Sequence, residues 1–168
     1  MWWIVLASLA LAGGEAVQSR RVDGFVPAAG YIEARIVGKQ PGLFVTDGDK
    51  SFLCFVGSAF PANFSRGLLT KLAEGVTEAV TAARAGQRMQ FDPAIKTIVS
   101  SQAAGYCTMI AATEPSPIDG QLMVMLTFVH NRACFGSAGC NTDAAGLIAT
   151  PDVMDQLVGS LRWAATKP

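Results

Sequence analysis

Residues 106–130 read YCTMIAATEPSPIDGQLMVMLTFVH, two apolar runs separated by a turn-rich stretch. Tyr106 to Thr113 and Leu122 to His130 each have the length of a strand. Between them, Glu114 to Gly120 carries two prolines and an Asp-Gly pair. Proline interrupts a ladder and Asp-Gly favours chain reversal, so the stretch predicts an antiparallel hairpin with a seven-residue loop. Leu122, Val124, Leu126 and Phe128 alternate with Met123, Met125, Thr127 and Val129. Both sets are largely apolar, which predicts a strand covered on both faces.

Upstream, Tyr31 to Val37 alternates, with Ile32, Ala34 and Ile36 on one side and Glu33 and Arg35 on the other. This is the pattern of a strand with one wet face. Gly38 to Gly42 breaks it, and Leu43 to Thr46 follows as a short strand. Asp47-Gly48-Asp49-Lys50 is a hairpin turn, because glycine accepts the positive φ that such a turn needs. Phe52-Leu53-Cys54-Phe55-Val56 is apolar throughout and reads as a central, doubly covered strand. Ile95 to Ser100 is a further strand.

Two helices complete the pattern. Leu69, Leu72, Ala73, Val76, Val80 and Ala83 recur at helical spacing, while Lys71, Glu74 and Glu78 fall off that stripe. Pro61-Ala62-Asn63 opens this helix, Asn63 or Ser65 can cap it, and Gly86 supplies a left-handed end after Ala85. Gly75 either weakens the helix or marks a close approach to a neighbour. The second helix begins with Thr150 as N-cap, Pro151 in the first position and Asp152 at the positive end of the dipole. Met154, Leu157, Val158 and Leu161 form its buried stripe, Val153 lies on the edge, and Trp163 anchors its end.

The predicted order is β-β-β-α-β-β-β-α. It defines an α+β fold, an antiparallel sheet flanked by helices, over residues 31–168, with residues 17–30 as a Gly/Pro-punctuated lead-in. There is no internal sequence repeat and no low-complexity tract. Phe25-Val26-Pro27 before the first strand, the hairpin at Asp47-Gly48, the helix from Asn63, the turn at Ile118-Asp119-Gly120 and the closing Gly159-Ser160-Leu161-Arg162-Trp163 together resemble the PsbP-like family over residues 25–165. That resemblance implies an exported α/β sandwich acting as an accessory or binding domain, and it brings no shared catalytic residues.

Residues 1–16 read MWWIVLASLALAGGEA. The apolar run from Trp2 to Ala12 is too short to span a bilayer, which needs about 20 residues. Followed by small residues, it has the form of an export signal, with a cut after Ala12 or after Ala16. Its n-region lacks Lys and Arg, and no cysteine follows the run to accept a lipid anchor. Export places the domain in the periplasm or outside the cell and makes its cysteines candidate crosslinks.

Composition narrows the function. The chain has 168 residues, of which 15% are charged and 51% hydrophobic. Ordinary domains carry about 25% charged residues, so apolar surface is left over after a core is filled. The 13 basic residues balance 13 acidic ones and form no cluster larger than Arg20-Arg21, which argues against nucleic acid. No second apolar run approaches membrane-spanning length.

Each group capable of chemistry has a structural alternative. Cys134 and Cys140 enclose a seven-residue loop with two glycines, and a bridge there would stabilise the fold by about 2–3 kcal/mol. Cys54 and Cys107 lie in predicted strands, where they can bridge if those strands are neighbours or remain buried thiols. Four cysteines allow three pairings. His130 is the only histidine. With Cys54 or Cys107 and with Asn131 or Asp143 it makes a Cys-His-Asn/Asp set of the kind that thiol hydrolases use. His130, Cys134 and Cys140 lack a fourth metal ligand at usual spacing, so neither a metal nor a cofactor is expected. Asn63-Phe64-Ser65 matches an N-glycosylation sequon that helix capping explains equally well. Met123 and Met125 read as strand core. These readings favour a non-enzymatic exported accessory or binding protein, with a protein partner or an apolar ligand. The alternative is an exported Cys-His thiol hydrolase built on His130. Oligomeric state is not legible.

Overall fold

The computed structural model describes residues 16–54, 61–89, 97–102, 105–131 and 142–167. The fold is α+β, and every strand pair is antiparallel. The first sheet is a meander of β1 (Val17–Val22), β2 (Tyr31–Val37), β3 (Gln40–Thr46) and β4 (Ser51–Cys54). Helix α1 (Ala62–Arg84) follows. A second meander consists of β5 (Thr97–Gln102), β6 (Gly105–Pro115), β7 (Leu122–Asn131) and β8 (Thr142–Ala149). Helix α2 (Pro151–Thr166) closes the chain.

The helices exchange sheets. They pack along each other, α1 lies mainly against β6 and β7 but also touches β3 of the first sheet and β5, and α2 lies mainly against β1 and β2. Each helix thus leaves one meander and covers the other, which locks the halves together. On α1 the whole predicted stripe is buried, joined by Ser65, Leu68 and Ala79, while Lys71, Glu74 and Glu78 are exposed. On α2 the buried set includes Met154, Leu157, Val158 and Leu161, and the Thr150 side chain accepts from the Val153 amide. At the end of α1, Gly86 has φ of 67°. Its amide bonds to the Ala83 carbonyl and the Gln87 amide to the Ala82 carbonyl, the paired closure of a Schellman motif. The start of α1 departs from expectation. Pro61 is the N-cap with no side-chain cap bond, and Asn63 and Ser65 lie inside the helix. Ser65 instead accepts a bond from Gln40 Nε2 at 2.7 Å.

A Cβ at Gly75 would meet nothing within 4 Å, so this glycine marks no close approach. Gly75→Ala is expected to stabilise the protein by about 0.5–1 kcal/mol through helix propensity alone, read as a rise in urea midpoint at unchanged m-value.

The sheets hold four corrections. Residues 17–22, expected as part of a lead-in, are the edge strand β1, paired with β2 from Val17↔Val37 to Val22↔Ile32. Their polar sequence suits an edge, where arginines discourage pairing with other chains. Strand β3 starts at Gln40, because Gly38 at φ 61° turns the chain at once and Val37 pairs with Gln40. Among the described residues strand β4 pairs with β3 alone and stands at the edge of its sheet, with Leu53 40% exposed and Cys54 1% exposed. Its apolar sequence therefore does not mean a central position. Strand β8 was not expected, since Ala144, Ala145 and Gly146 carry little strand propensity. Ala145, Leu147 and Ala149 nevertheless alternate into the core.

The turn at Asp47 behaves as predicted, whereas the long hairpin has a shorter loop than the seven residues expected, because β6 runs on to Pro115. Asp47 Oδ1 accepts from the amides of Asp49 and Lys50, and Gly48 has φ of 99°. In the long hairpin Pro115 pairs with Leu122, and the Ser116 amide bonds to the Gln121 carbonyl. The two sheets meet at β8. Val26 and Ile148 exchange both backbone bonds, at 2.7 and 3.1 Å, and Lys50 Nζ donates to the Ala144 carbonyl at 3.3 Å. Residues 1–15, with the predicted signal, lie outside the described residues.

Candidate functional site

The second sheet has two unlike faces. Met109, Ala111, Val124, Leu126, Phe128, Ala145 and Leu147 face the helices and are buried. The opposite face carries Ile110, Ala112 and Glu114 from β6 beside Met125 and Thr127 from β7, with Ile110 opposite Thr127 and Ala112 opposite Met125. These neighbours leave a groove of about 460 Å³, closed along one side by Arg88 and Met89. The volume falls within the roughly 300–1,000 Å³ of small-molecule sites.

The end of α1 positions that wall. The Schellman closure turns the chain at Gly86, and the Met89 amide then donates to Thr113 Oγ1 at 2.7 Å. Met89 is half-buried and Arg88 exposed. Arg88 also borders a neighbouring hollow of about 580 Å³ with Pro115, Leu122 and Pro151, and another of about 560 Å³ with Glu78 and Thr81. The floor is apolar (Ile110, Ala112, Met125), and the charges of Arg88 and Glu114 lie at its margin. Met125 therefore serves as wall rather than core, and its unbranched thioether adapts readily to different shapes.

The outer face of the first sheet is already occupied by its own side chains. The Arg21 guanidinium lies 3.6 Å from the Tyr31 ring centre and that of Arg35 4.2 Å from Phe44. Arg35 Nε donates to Glu33 at 2.8 Å. Arg21 also pairs with Asp23 at 2.7 Å, and this hydrogen bond holds the Asp23 carboxyl below its ordinary value. The sign follows: that contribution to stability is present above the unfolded-state value and fades as pH falls through the lowered one. At the helix pair, Arg84 bonds Asp155 and Asp152, each at 2.7 Å, and these bonds raise its guanidinium further. Both sites are solvent-exposed, so their share of stability is small.

The sequence-predicted chemical residues separate into groups. Cys54 is disulfide-bonded and so is removed as a nucleophile. Its strand is no ladder neighbour of β6, which carries Cys107. Cys134 and Cys140 lie outside the described residues. The register sets Cys107 opposite His130 and His130 opposite Asp143. Asn131, one residue further along β7, pairs with Tyr106 and Thr142 at the end of the two ladders. Among the described residues no three His, Cys, Asp or Glu gather as metal ligands, and no helix is long and apolar enough to cross a membrane.

No protein-family model, curated protein or solved structure matches the chain.

Proposed function

We propose that this is an exported accessory or binding protein of PsbP-like type, which takes an apolar ligand in the groove on the outer face of its second sheet. One observation carries the reading. Among the described residues, the sheet face turned away from the helices, where polar side chains are usual, presents Ile110, Ala112 and Met125 beside Met89, around a hollow of ligand size. The low charge of the chain supports it, and the apolar leader supports a site of action in the periplasm or outside the cell.

Titration with Nile red, followed by fluorescence, tests the groove. Saturable binding is expected, and Ala112→Trp, which fills the floor, is expected to weaken it at least about tenfold, the scale of one lost apolar contact surface. Equal affinity in Ala112→Trp would remove the groove from the proposal. Fractionation with N-terminal sequencing tests the location, with Val17 or Gly13 as the expected first residue of the exported protein.

A further inference from the structure

The groove on the second sheet has unlike ends. Ile110 is opposite Thr127 at one end, and Glu114 is opposite Met123 at the other. Along β6 these rows are separated by about 14 Å, at about 3.4 Å per residue. Between them the floor is Ala112 opposite Met125. Arg88 borders this groove and also the next hollow, which it shares with Pro115 and Leu122. Those two form the last pair of the β6–β7 ladder. Arg88 therefore stands at the Glu114 end. The bond from the Met89 amide to Thr113 Oγ1, at 2.7 Å, fixes the chain beside it.

The two charges at that end are uncommitted. Among the described residues, neither Arg88 nor Glu114 enters an ion pair. Arg84, at the end of α1, is by contrast held by Asp152 and Asp155, each at 2.7 Å. A head group of one sign would be attracted by one of the two charges and repelled by the other. A head group that carries both signs can meet each with its opposite. An uncharged head group gains from neither.

We propose that the groove takes a single-chain zwitterionic amphiphile. Its alkyl chain lies over Ala112 and Met125 toward Ile110, its anionic group is at Arg88 and its cationic group at Glu114. A phosphodiester joined to an ammonium supplies both charges within one head. The volume of about 460 Å³ suits one chain. This assignment rests on the groove being a ligand site and adds the chemistry of the head group.

Displacement of Nile red at pH 7 and low salt tests it, with each competitor kept below its micelle threshold. Decylphosphocholine, decyl sulfate, decyltrimethylammonium and decyl maltoside share a chain and differ in the head. Decylphosphocholine is expected to displace the dye at a concentration at least about fivefold below that of the others, the scale of one well-placed exposed ion pair. Its lead should shrink as salt rises. Arg88→Gln should weaken decylphosphocholine about fivefold and put decyltrimethylammonium ahead of decyl sulfate. Glu114→Gln should put decyl sulfate ahead. Nile red is uncharged and should bind both variants as it binds the unaltered protein, which shows that they fold. The ranking on the unaltered protein needs no variant. If Nile red does not bind the unaltered protein, the groove fails and the head group with it. If Nile red binds but decylphosphocholine does not lead, or the two singly charged compounds keep one order in both variants, the head-group assignment is overturned and the apolar groove stands.

Discussion

Phe128→Ala is expected to destabilise the protein by about 3–5 kcal/mol, with a urea midpoint falling in proportion at nearly constant m-value. Phe128 is fully buried in β7, between Met109 of β6 and Ala145 of β8 in the ladder. Truncation removes its transfer free energy and leaves a cavity that neighbours fixed in two ladders fill poorly. Total stability of a domain is about 5–15 kcal/mol, so the loss is a large share of it. Val129, the next residue, is half-buried on the other face. Val129→Ala should cost less than about 1.5 kcal/mol, since it removes less surface from a shallower site. The pair tests the sheet's orientation, because a slip of one residue would exchange the two faces and reverse the order of the losses. Equal losses would contradict the two-faced sheet described above.

The elements that were legible in the sequence are those whose boundaries carry their own chemistry. Thr150 starts α2 by accepting from the Val153 amide, Pro151 brings no N–H that needs a partner, and Asp152 stands at the positive end of the dipole, whatever the rest of the chain does. Gly86 ends α1 because it accepts a backbone that other residues avoid. The elements that were missed depend on neighbours. The polar VQSRRV of β1 and the small TDAAGLIA of β8 become strands because β2 and β7 offer them a ladder. Phe52 to Cys54 are apolar, but an apolar run does not reveal whether strands lie on both sides of it. Residues 17–30 looked like a lead-in, yet Val22 and Phe25 are core residues.

The candidate sites were legible only as residue types. A loop of Glu114 to Gly120 closes Thr113 onto Gln121 and sets Cys107 opposite Thr127. The observed closure pairs Pro115 with Leu122 and sets Cys107 opposite His130. Prolines tolerated at a strand end move the register by three residues, and with it the chemistry that meets across the strands. The groove was hidden for a related reason. Met125 is apolar in an apolar strand, and only the placement of Arg88 and Met89 makes that face a wall.

Gly30→Ala tests the junction on which this placement of the two sheets rests. Gly30 adopts no positive φ, so alanine meets no backbone strain there, and the cost is contact alone. An added Cβ would be 2.5 Å from Leu147 Cδ2 and 3.1 and 3.2 Å from the Pro27 and Thr46 carbonyl oxygens. Leu147 is fully buried in β8, beside the Val26–Ile148 bridge, and has little room to yield. The substitution is expected to destabilise by about 2–3 kcal/mol, the upper part of the overpacking range. Leu147→Ala alone should cost about 2–5 kcal/mol, as a cavity. In the double variant the leucine methyls that the new Cβ strikes are gone, and the alanine methyl fills part of the space they leave. The double loss should therefore fall short of the sum of the single losses by about 1 kcal/mol or more, a coupling typical of residues in contact. Strict additivity would mean that Gly30 and Leu147 do not touch, and the junction between the sheets would have to be drawn elsewhere.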